Sequence, residues 1–99
     1  MREAVIRKKA IEELNNNGWS CWYPYKSQWA KESDIFGVYD LICVHHDYRD
    51  PLFIQLTTLS NVSARRKKVK TFLDQTRVDL RSEIWGWDAK NKNFRKIRL

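Results

Sequence analysis

The alternation of apolar and polar positions along the chain predicts two helices and five strands. Helices are indicated where apolar residues recur every three or four positions, and strands where apolar, aromatic and β-branched residues form short runs bounded by turn residues. The helices are expected over residues 2–17 and over a segment capped by Ser60, and the strands over residues 19–25, 35–45, 52–58, 83–88 and 94–99. The order helix, three strands, helix, two strands predicts an α/β domain with a mixed central sheet flanked by helices.

One predicted strand carries a charge where packing alone would favour an apolar residue. Residues 35–45 are apolar on both faces, which is typical of a central strand, yet they include Asp40. A buried carboxylate is costly unless it is paired, hydrogen-bonded or bound to a cation. Alternation puts Gln55 and Thr57 on one face of the next strand, so these side chains and Asp40 converge if the strands pair. Asp40 is therefore the first candidate site residue, the plainer alternative being a strand acid paired with Lys or Arg.

The composition is that of one small globular domain spanning residues 1–99. With 42% hydrophobic residues, three Gly and two Pro, the chain of 99 residues is long enough for a single two-layer core. No apolar run is long enough to span a bilayer, so no membrane partner is expected. The N-terminus lacks the pattern of a secretory signal, which favours a cytoplasmic location in which Cys21 and Cys43 stay reduced and buried.

The formal net charge of +7 favours a polyanionic partner, because neutralised phosphates release counterions. Much of this charge lies on the second helix beside its apolar stripe. The basic residues there are Arg65, Arg66, Lys67, Lys68 and Lys70. We expect them to contact DNA, mainly through its backbone and shape, although a solvated helix face would show the same pattern. Most Trp residues are expected in the core, with Trp22 and Trp29 at the surface, where an indole can stack on an unpaired base.

Cys43, His45 and His46, together with Cys21, are residue types that bind zinc, but their spacing argues against such a site. Alternation puts Cys43 and His45 on one strand face and His46 on the other. A tetrahedral site would then need ligands from distant parts of the chain, so we expect no zinc here.

The segment Gly37-x-x-Asp40, followed by Gln55-x-Thr57 before a basic helix, resembles the PD-(D/E)XK nuclease superfamily. The resemblance covers nearly the whole chain and is nearest in pattern to small archaeal Holliday-junction resolvases and virus-type replication-repair nucleases; compact phage proteins look similar over residues 55–62. It implies a restriction-endonuclease-like topology and a DNA endonuclease or resolvase-like activity that hydrolyses phosphodiester bonds with Mg²⁺ or Mn²⁺. Small resolvases often dimerise, so the resemblance also implies that a homodimer can form.

By this resemblance, Asp40 and Gln55 hold the metal, and Leu56 offers its backbone carbonyl. Gln55 stands where the family's second acid usually stands, a replacement that the virus-type branch also shows, and it removes one negative charge from the site. Thr57 stands where the family carries a Lys that orients or deprotonates the attacking water. Thr has no cationic head for that task.

Other residues are expected to supply what these two replacements remove. A third acid can come from the first helix, where Glu12 ranks ahead of Glu13 and Glu3. The missing cation can come from the second helix, which offers Arg65, Arg66, Lys67 and Lys68. Arg66 shares a helical face with the apolar residues of this helix and is expected to face the sheet more than Lys67 does. Asp34, just before the second predicted strand, is interpreted as a loop cap with a reserve role as an acid.

Three functions stay open from the sequence. The first is a metal-dependent nuclease whose site contains Asp40, Gln55, Thr57, Glu12 and Arg66. The second is a nuclease fold that binds DNA without cutting it, because position 55 lacks the acid and position 57 lacks the Lys. The third is a basic domain that binds an acidic protein partner.

Overall fold

The computed structural model describes residues 3–24 and 34–99. Two helices and five strands follow one another in the order that the sequence predicts. They are α1 (Glu3–Asn16), β1 (Ser20–Trp22), β2 (Leu41–Val44), β3 (Leu52–Thr58), a 3₁₀ turn (Leu59–Asn61), α2 (Val62–Thr76), β4 (Arg81–Asp88) and β5 (Asn93–Arg98). The predicted α/β class and element order are confirmed.

The five strands form one mixed sheet in the order β1-β2-β3-β4-β5. Only β3 and β4 are parallel, and α2 connects them, because a parallel pair needs a crossover. The other neighbouring pairs are antiparallel. The strand predicted within residues 35–45 is an interior strand, since β2 pairs with β1 on one side and β3 on the other, but the middle of the sheet is occupied by β3, which is buried from Leu52 to Thr57.

The two helices cover opposite faces of this sheet. Buried residues of α1 recur at a spacing of four (Ile6, Ala10 and Leu14) and pack with one set of alternate β3 side chains, including Ile54. Phe53, on the opposite face of β3, packs in a second cluster that contains α2 residues. Gln55 and Thr57 share the parity of Phe53 and therefore lie on the α2 side. Among the described residues, no helix has the length and apolarity needed to cross a membrane.

The second strand is shorter than predicted because residues 34–40 form a turn. Phe36 and Gly37 have positive φ angles of 57° and 69°, and Val38 N donates to Ile35 O at 3.0 Å. Two central residues with positive φ are typical of a type I′ turn and are incompatible with continuous strand geometry. Asp40 therefore lies directly before β2 instead of within it.

Two boundary predictions are also corrected. Ser60 does not cap the second helix, since it lies within the 3₁₀ turn and Asn61 occupies the N-cap position. The first strand ends at Trp22, and residues 25–33 lie outside the described part of the chain.

At Gly86 of β4, the 3₁₀ turn and the start of α2 pack closely against the sheet. A Cβ atom at this position would collide with Val62 Cγ2 and lie 3.4 Å from Leu59 Cα. A glycine therefore sets how closely the start of α2 packs on β4, on the same sheet face as Gln55.

We expect Gly86→Ala to lower the free energy of unfolding by about 1–3 kcal/mol, because the added methyl overpacks this contact. Urea denaturation measures the loss. The double variant Gly86→Ala/Val62→Ala removes the colliding methyl and should be less destabilised than the sum of the two single variants. Strict additivity would contradict the proposed contact.

Candidate metal centre

Asp40 and Gln55 meet on the α2 side of the sheet. Gln55 Nε2 donates to Asp40 Oδ2 at 2.9 Å, and Leu56 N donates to the same oxygen at 2.7 Å. Asp40 N in turn donates to Ile54 O at 2.8 Å, which extends the pairing of β2 with β3 by one residue. Asp40 is only 9% exposed. The predicted convergence of Asp40 and Gln55 is confirmed, and their roles in binding a metal stay predictions.

The oxygen of the Gln55 side-chain amide accepts no hydrogen bond within the described part of the chain. Its nitrogen donates to Asp40 Oδ2 and, at 3.0 Å, to Leu56 O, so the neighbouring acceptors fix which amide atom is the nitrogen. Gln55 is 3% exposed, and its Oε1 has no hydrogen-bond partner among the described residues. Leaving such an acceptor unpaired costs about 1–3 kcal/mol, which makes Oε1 a candidate ligand for a cation.

Three carboxylates come together at this place. Glu3, Asp34 and Asp40 each bring a carboxylate oxygen within 4.8 Å of the others. Glu3 is thus the first-helix acid whose carboxylate lies beside Asp40, whereas Glu12, ranked first from the sequence, is not part of this cluster. Glu12 is exposed, and Glu13 forms an ion pair with Lys96 at 2.5 Å.

The helical spacing of α1 explains this correction. Glu3 lies three residues before Ile6 and seven before Ala10, so it belongs to the stripe that faces the sheet. Glu12 lies midway between Ala10 and Leu14, on the opposite side. The same helical spacing, read from the sequence, favours Glu3 over Glu12. Asp34, interpreted from the sequence mainly as a loop cap, also joins the cluster.

The donor set fits a hard divalent cation. Carboxylate, amide and carbonyl oxygens are the ligands that Mg²⁺ and Mn²⁺ prefer, and the site offers all three types at Asp40, Gln55 and Leu56. Carboxylates held this close repel one another, and a divalent charge would offset that repulsion. The cluster and the unpaired Gln55 oxygen are two independent features that favour the same ligand.

Thr57 is buried on the same strand face as Gln55, and the basic residues of α2 differ in their burial. Arg66 is exposed, whereas Arg65 is half-buried. Arg65 and Arg66 both lie three or four residues from Val62 and Val69, the two buried residues of α2, so helical spacing puts both beside the buried stripe and burial alone distinguishes them. Arg66 and Lys67 are both exposed, so the prediction that Arg66 faces the sheet more than Lys67 does stays a prediction.

The remaining basic residues predicted to bind DNA lie on the outside of α2. Lys67, Lys68 and Lys70 are all exposed. Trp22 is 59% exposed, as expected, and Trp29 lies outside the described residues.

The residues considered for zinc fall into two groups. His45 and His46 follow the end of β2 and stack on each other instead of lying on opposite strand faces, and both bring a ligand atom within 4.8 Å of an oxygen of Asp47. Cys21 and Cys43 face each other across β1 and β2, and Cys43 Sγ donates to Cys21 Sγ at 3.2 Å. This hydrogen bond lowers the pKa of the Cys21 thiol. The same bond, together with burial, raises the pKa of the Cys43 thiol.

His45 Nε2 lies 3.0 Å from Asn17 O, and His45 Nδ1 accepts from Asp47 N at 3.0 Å. Since both ring nitrogens of His45 are engaged, we interpret it as structural.

No protein-family model and no curated protein matches the chain. Among solved structures, it is similar to Hjc, a Holliday junction resolvase of Archaeoglobus fulgidus, with a TM-score of 0.49 and 13% sequence identity. The similarity covers 96% of this chain and 87% of the resolvase. The function is therefore inferred from the side chains of the site.

We expect Mg²⁺ or Mn²⁺ to stabilise the folded protein beyond the effect of ionic strength. At ten times its Kd a bound ion contributes about 1.4 kcal/mol, which raises the Tm of a domain of this size by on the order of 5–10 °C. Thermal unfolding against a matched NaCl series measures the shift.

Carboxylate variants show which acids are responsible. Glu3→Gln and Asp34→Asn should remove most of the shift, whereas Glu12→Gln, the matched control on the same helix, should retain it. An equal shift in Glu3→Gln and the unaltered protein would exclude Glu3 as a ligand.

Proposed function

We propose that this protein is a metal-dependent deoxyribonuclease of the PD-(D/E)XK type that hydrolyses phosphodiester bonds in DNA. The observation that carries the proposal is the Asp40 carboxylate, held by the Gln55 amide and the Leu56 N–H. Beside it lie the carboxylates of Glu3 and Asp34. Oxygen ligands gathered around a buried carboxylate, together with a strongly basic helix, suit a site where a metal and a phosphate meet.

We infer from this geometry which residues would hold Mg²⁺ or Mn²⁺. Asp40 and Glu3 supply carboxylates, Gln55 supplies Oε1, Leu56 supplies its carbonyl, and Asp34 completes the acidic group. A cation bound there would lower the pKa of a water ligand and offset the charge that develops on the phosphate. The hydrogen bonds from Gln55 and Leu56 fix the Asp40 carboxylate, so little ordering is needed when a ligand binds.

The Thr at position 57 is expected to limit the rate of phosphodiester hydrolysis. A Lys at this position would place a positive charge beside the attacking water, and a neutral hydroxyl does not replace it. Arg65 is the half-buried cation of α2 and is a better candidate than the exposed Arg66 to supply charge over the sheet. We therefore expect slow hydrolysis unless a basic side chain reaches the phosphate.

The outer face of α2 is proposed to follow the DNA backbone. Its exposed cations neutralise phosphates, which gives affinity that falls with salt and carries no sequence readout. These residues are Arg66, Lys67, Lys68 and Lys70. A homodimer and a cytoplasmic location stay predictions.

A DNA-binding protein without nuclease activity is the second candidate, and one contact favours it. The amide protons of Gln55 already lie against Asp40 Oδ2 and Leu56 O, so part of the negative charge is compensated without a metal. Such a site can persist in a protein that has lost catalysis, as the Thr at position 57 also suggests.

We expect purified protein to cleave branched or single-stranded DNA in Mg²⁺ or Mn²⁺, and EDTA to stop cleavage. Asp40→Asn should lower the rate at least about 100-fold, because the contribution of a metal to such a reaction is several kcal/mol. This variant retains an oxygen for the Leu56 N–H. Gel analysis of end-labelled DNA measures the rate, with Glu12→Gln as the matched control.

The two candidate functions give different results in this assay. Cleavage that is equal in Asp40→Asn and unaltered protein would come from a contaminant and contradict the proposal. DNA binding without cleavage in any metal would favour the binding protein. Thr57→Lys should increase cleavage in an active nuclease, because it places the missing cation on the strand face of Gln55.

Gln55→Glu tests the site without an activity assay. The substitution removes the 2.9 Å hydrogen bond and puts a second carboxylate against Asp40, so in EDTA at neutral pH it should cost on the order of 2 kcal/mol of stability. The added charge should also tighten metal binding, so Mn²⁺ should raise the Tm more in Gln55→Glu than in the unaltered protein. A smaller metal-dependent rise in the variant would argue against Gln55 as a ligand position.

A further inference from the structure

Phe36 is a large apolar residue held at the surface in an unfavourable backbone conformation. It is 63% exposed, and its φ angle is 57°. It occupies the first central position of the turn of residues 34–40, where Gly, Asn or Asp is usual. A left-handed conformation is sterically unfavourable for a residue with a Cβ atom. Neither backbone preference nor burial therefore explains a Phe at this position.

The ring of Phe36 is nevertheless well fixed. It stacks on Phe72 of α2, with centroids 5.6 Å apart and planes 24° apart, and it lies 6.3 Å from the ring of Phe53. These contacts support the ring from the protein side while most of the side chain faces solvent. An aromatic ring fixed in this way is suited to stack with a further planar group.

A groove adjoins this aromatic pair. It has a volume of about 450 Å³, and its lining includes the buried Val38, the half-buried Phe72 and the exposed Lys67 and Lys68. Apolar and aromatic surface beside two cations is complementary to a nucleotide, whose base is planar and whose phosphate is negative. The charge complementarity favours a nucleic acid over an apolar peptide.

The same turn connects this surface to the candidate metal centre. Asp34 and Asp40, whose carboxylates lie within 4.8 Å, stand on either side of Phe36 in the chain. Two residues span at most about 7 Å between Cα atoms, so Phe36 Cα lies no farther than that from Asp34 Cα. The backbone at Phe36 therefore lies beside the candidate metal centre.

We propose that Phe36 is a stacking platform for an unpaired base, and that it directs this protein to DNA that presents an unpaired nucleotide. This proposal rests on the DNA-binding part of the proposed function and names its substrate class. Fully paired DNA keeps its bases stacked inside the duplex and offers none to Phe36. A fork, flap or single strand presents the base, and Lys67 and Lys68 hold the adjacent phosphates.

Binding in EDTA tests the proposal without any need for cleavage. Fluorescence anisotropy measures the Kd for a single strand, a fork with splayed arms and a fully paired duplex of equal length, at one salt concentration. We expect the unaltered protein to prefer the single strand and the fork. Since base stacking on an aromatic ring is worth about 1–3 kcal/mol, Phe36→Leu should weaken binding to these two by about tenfold and leave duplex binding unchanged.

Three substitutions at Phe36 distinguish a loss of base stacking from a loss of folded structure. Phe36→Leu keeps an apolar contact with Phe72 but has no aromatic face, Phe36→Tyr keeps the ring, and Phe36→Asn introduces a residue that is favoured at positive φ. We expect Tyr to retain the preference and both Leu and Asn to lose it, with circular dichroism showing that all three are folded. Val44→Ala, at an exposed apolar residue of β2, is the matched control.

A fluorescent base such as 2-aminopurine gives a direct readout of stacking. Placed at the unpaired position of the fork, it should be quenched by the unaltered protein and by Phe36→Tyr, and not by Phe36→Leu. Retained fork preference in Phe36→Leu, or an equal loss on fork and duplex, would overturn the proposal. Fork-selective binding that needs Phe36, without cleavage in any metal, would instead refute the nuclease function and leave this inference intact.

Discussion

The fixed position of the Asp40 carboxylate is the constraint on which the site depends. Two N–H donors, one from the Gln55 side chain and one from the Leu56 backbone, hold the same carboxylate oxygen. Because one donor belongs to the main chain of the central strand, this carboxylate connects the turn before β2 to the middle of the sheet. These two hydrogen bonds offset part of the free-energy cost of burying the carboxylate.

The sheet and its two helices bring separate parts of the chain to that carboxylate. The packing of Ile6, Ala10 and Leu14 on one sheet face orients α1 so that its first residue, Glu3, reaches Asp40. On the other face, α2 carries the exposed cations while its buried residues pack near Gln55 and Thr57. An acidic centre and a basic surface thus lie close together, which is the arrangement needed where a metal and a phosphate bind side by side.

The turn of residues 34–40 carries strain at the place where the candidate chemistry lies. Positive φ angles at Phe36 and Gly37 reverse the chain, so the carboxylates of Asp34 and Asp40 approach each other. Only Gly37 adopts this conformation without a steric cost. Strained backbone and exposed aromatic surface are common at functional sites, because they persist where the surrounding packing supports them. Here Phe72 supplies that support.

The sequence by itself determined the helices, the strand periodicity, the basic face of α2 and the pairing of Asp40 with Gln55, because each follows from local spacing and residue chemistry. It favoured Glu12 as the acid and Arg66 as the cation, since several residues on each helix satisfy a local pattern. Only the tertiary structure decided that the carboxylates of Glu3 and Asp34 meet that of Asp40 and that Arg65 is more buried than Arg66. The physical reason is that the docking angle of each helix, and the turn that interrupts an otherwise apolar run, are set by packing between residues far apart in the chain.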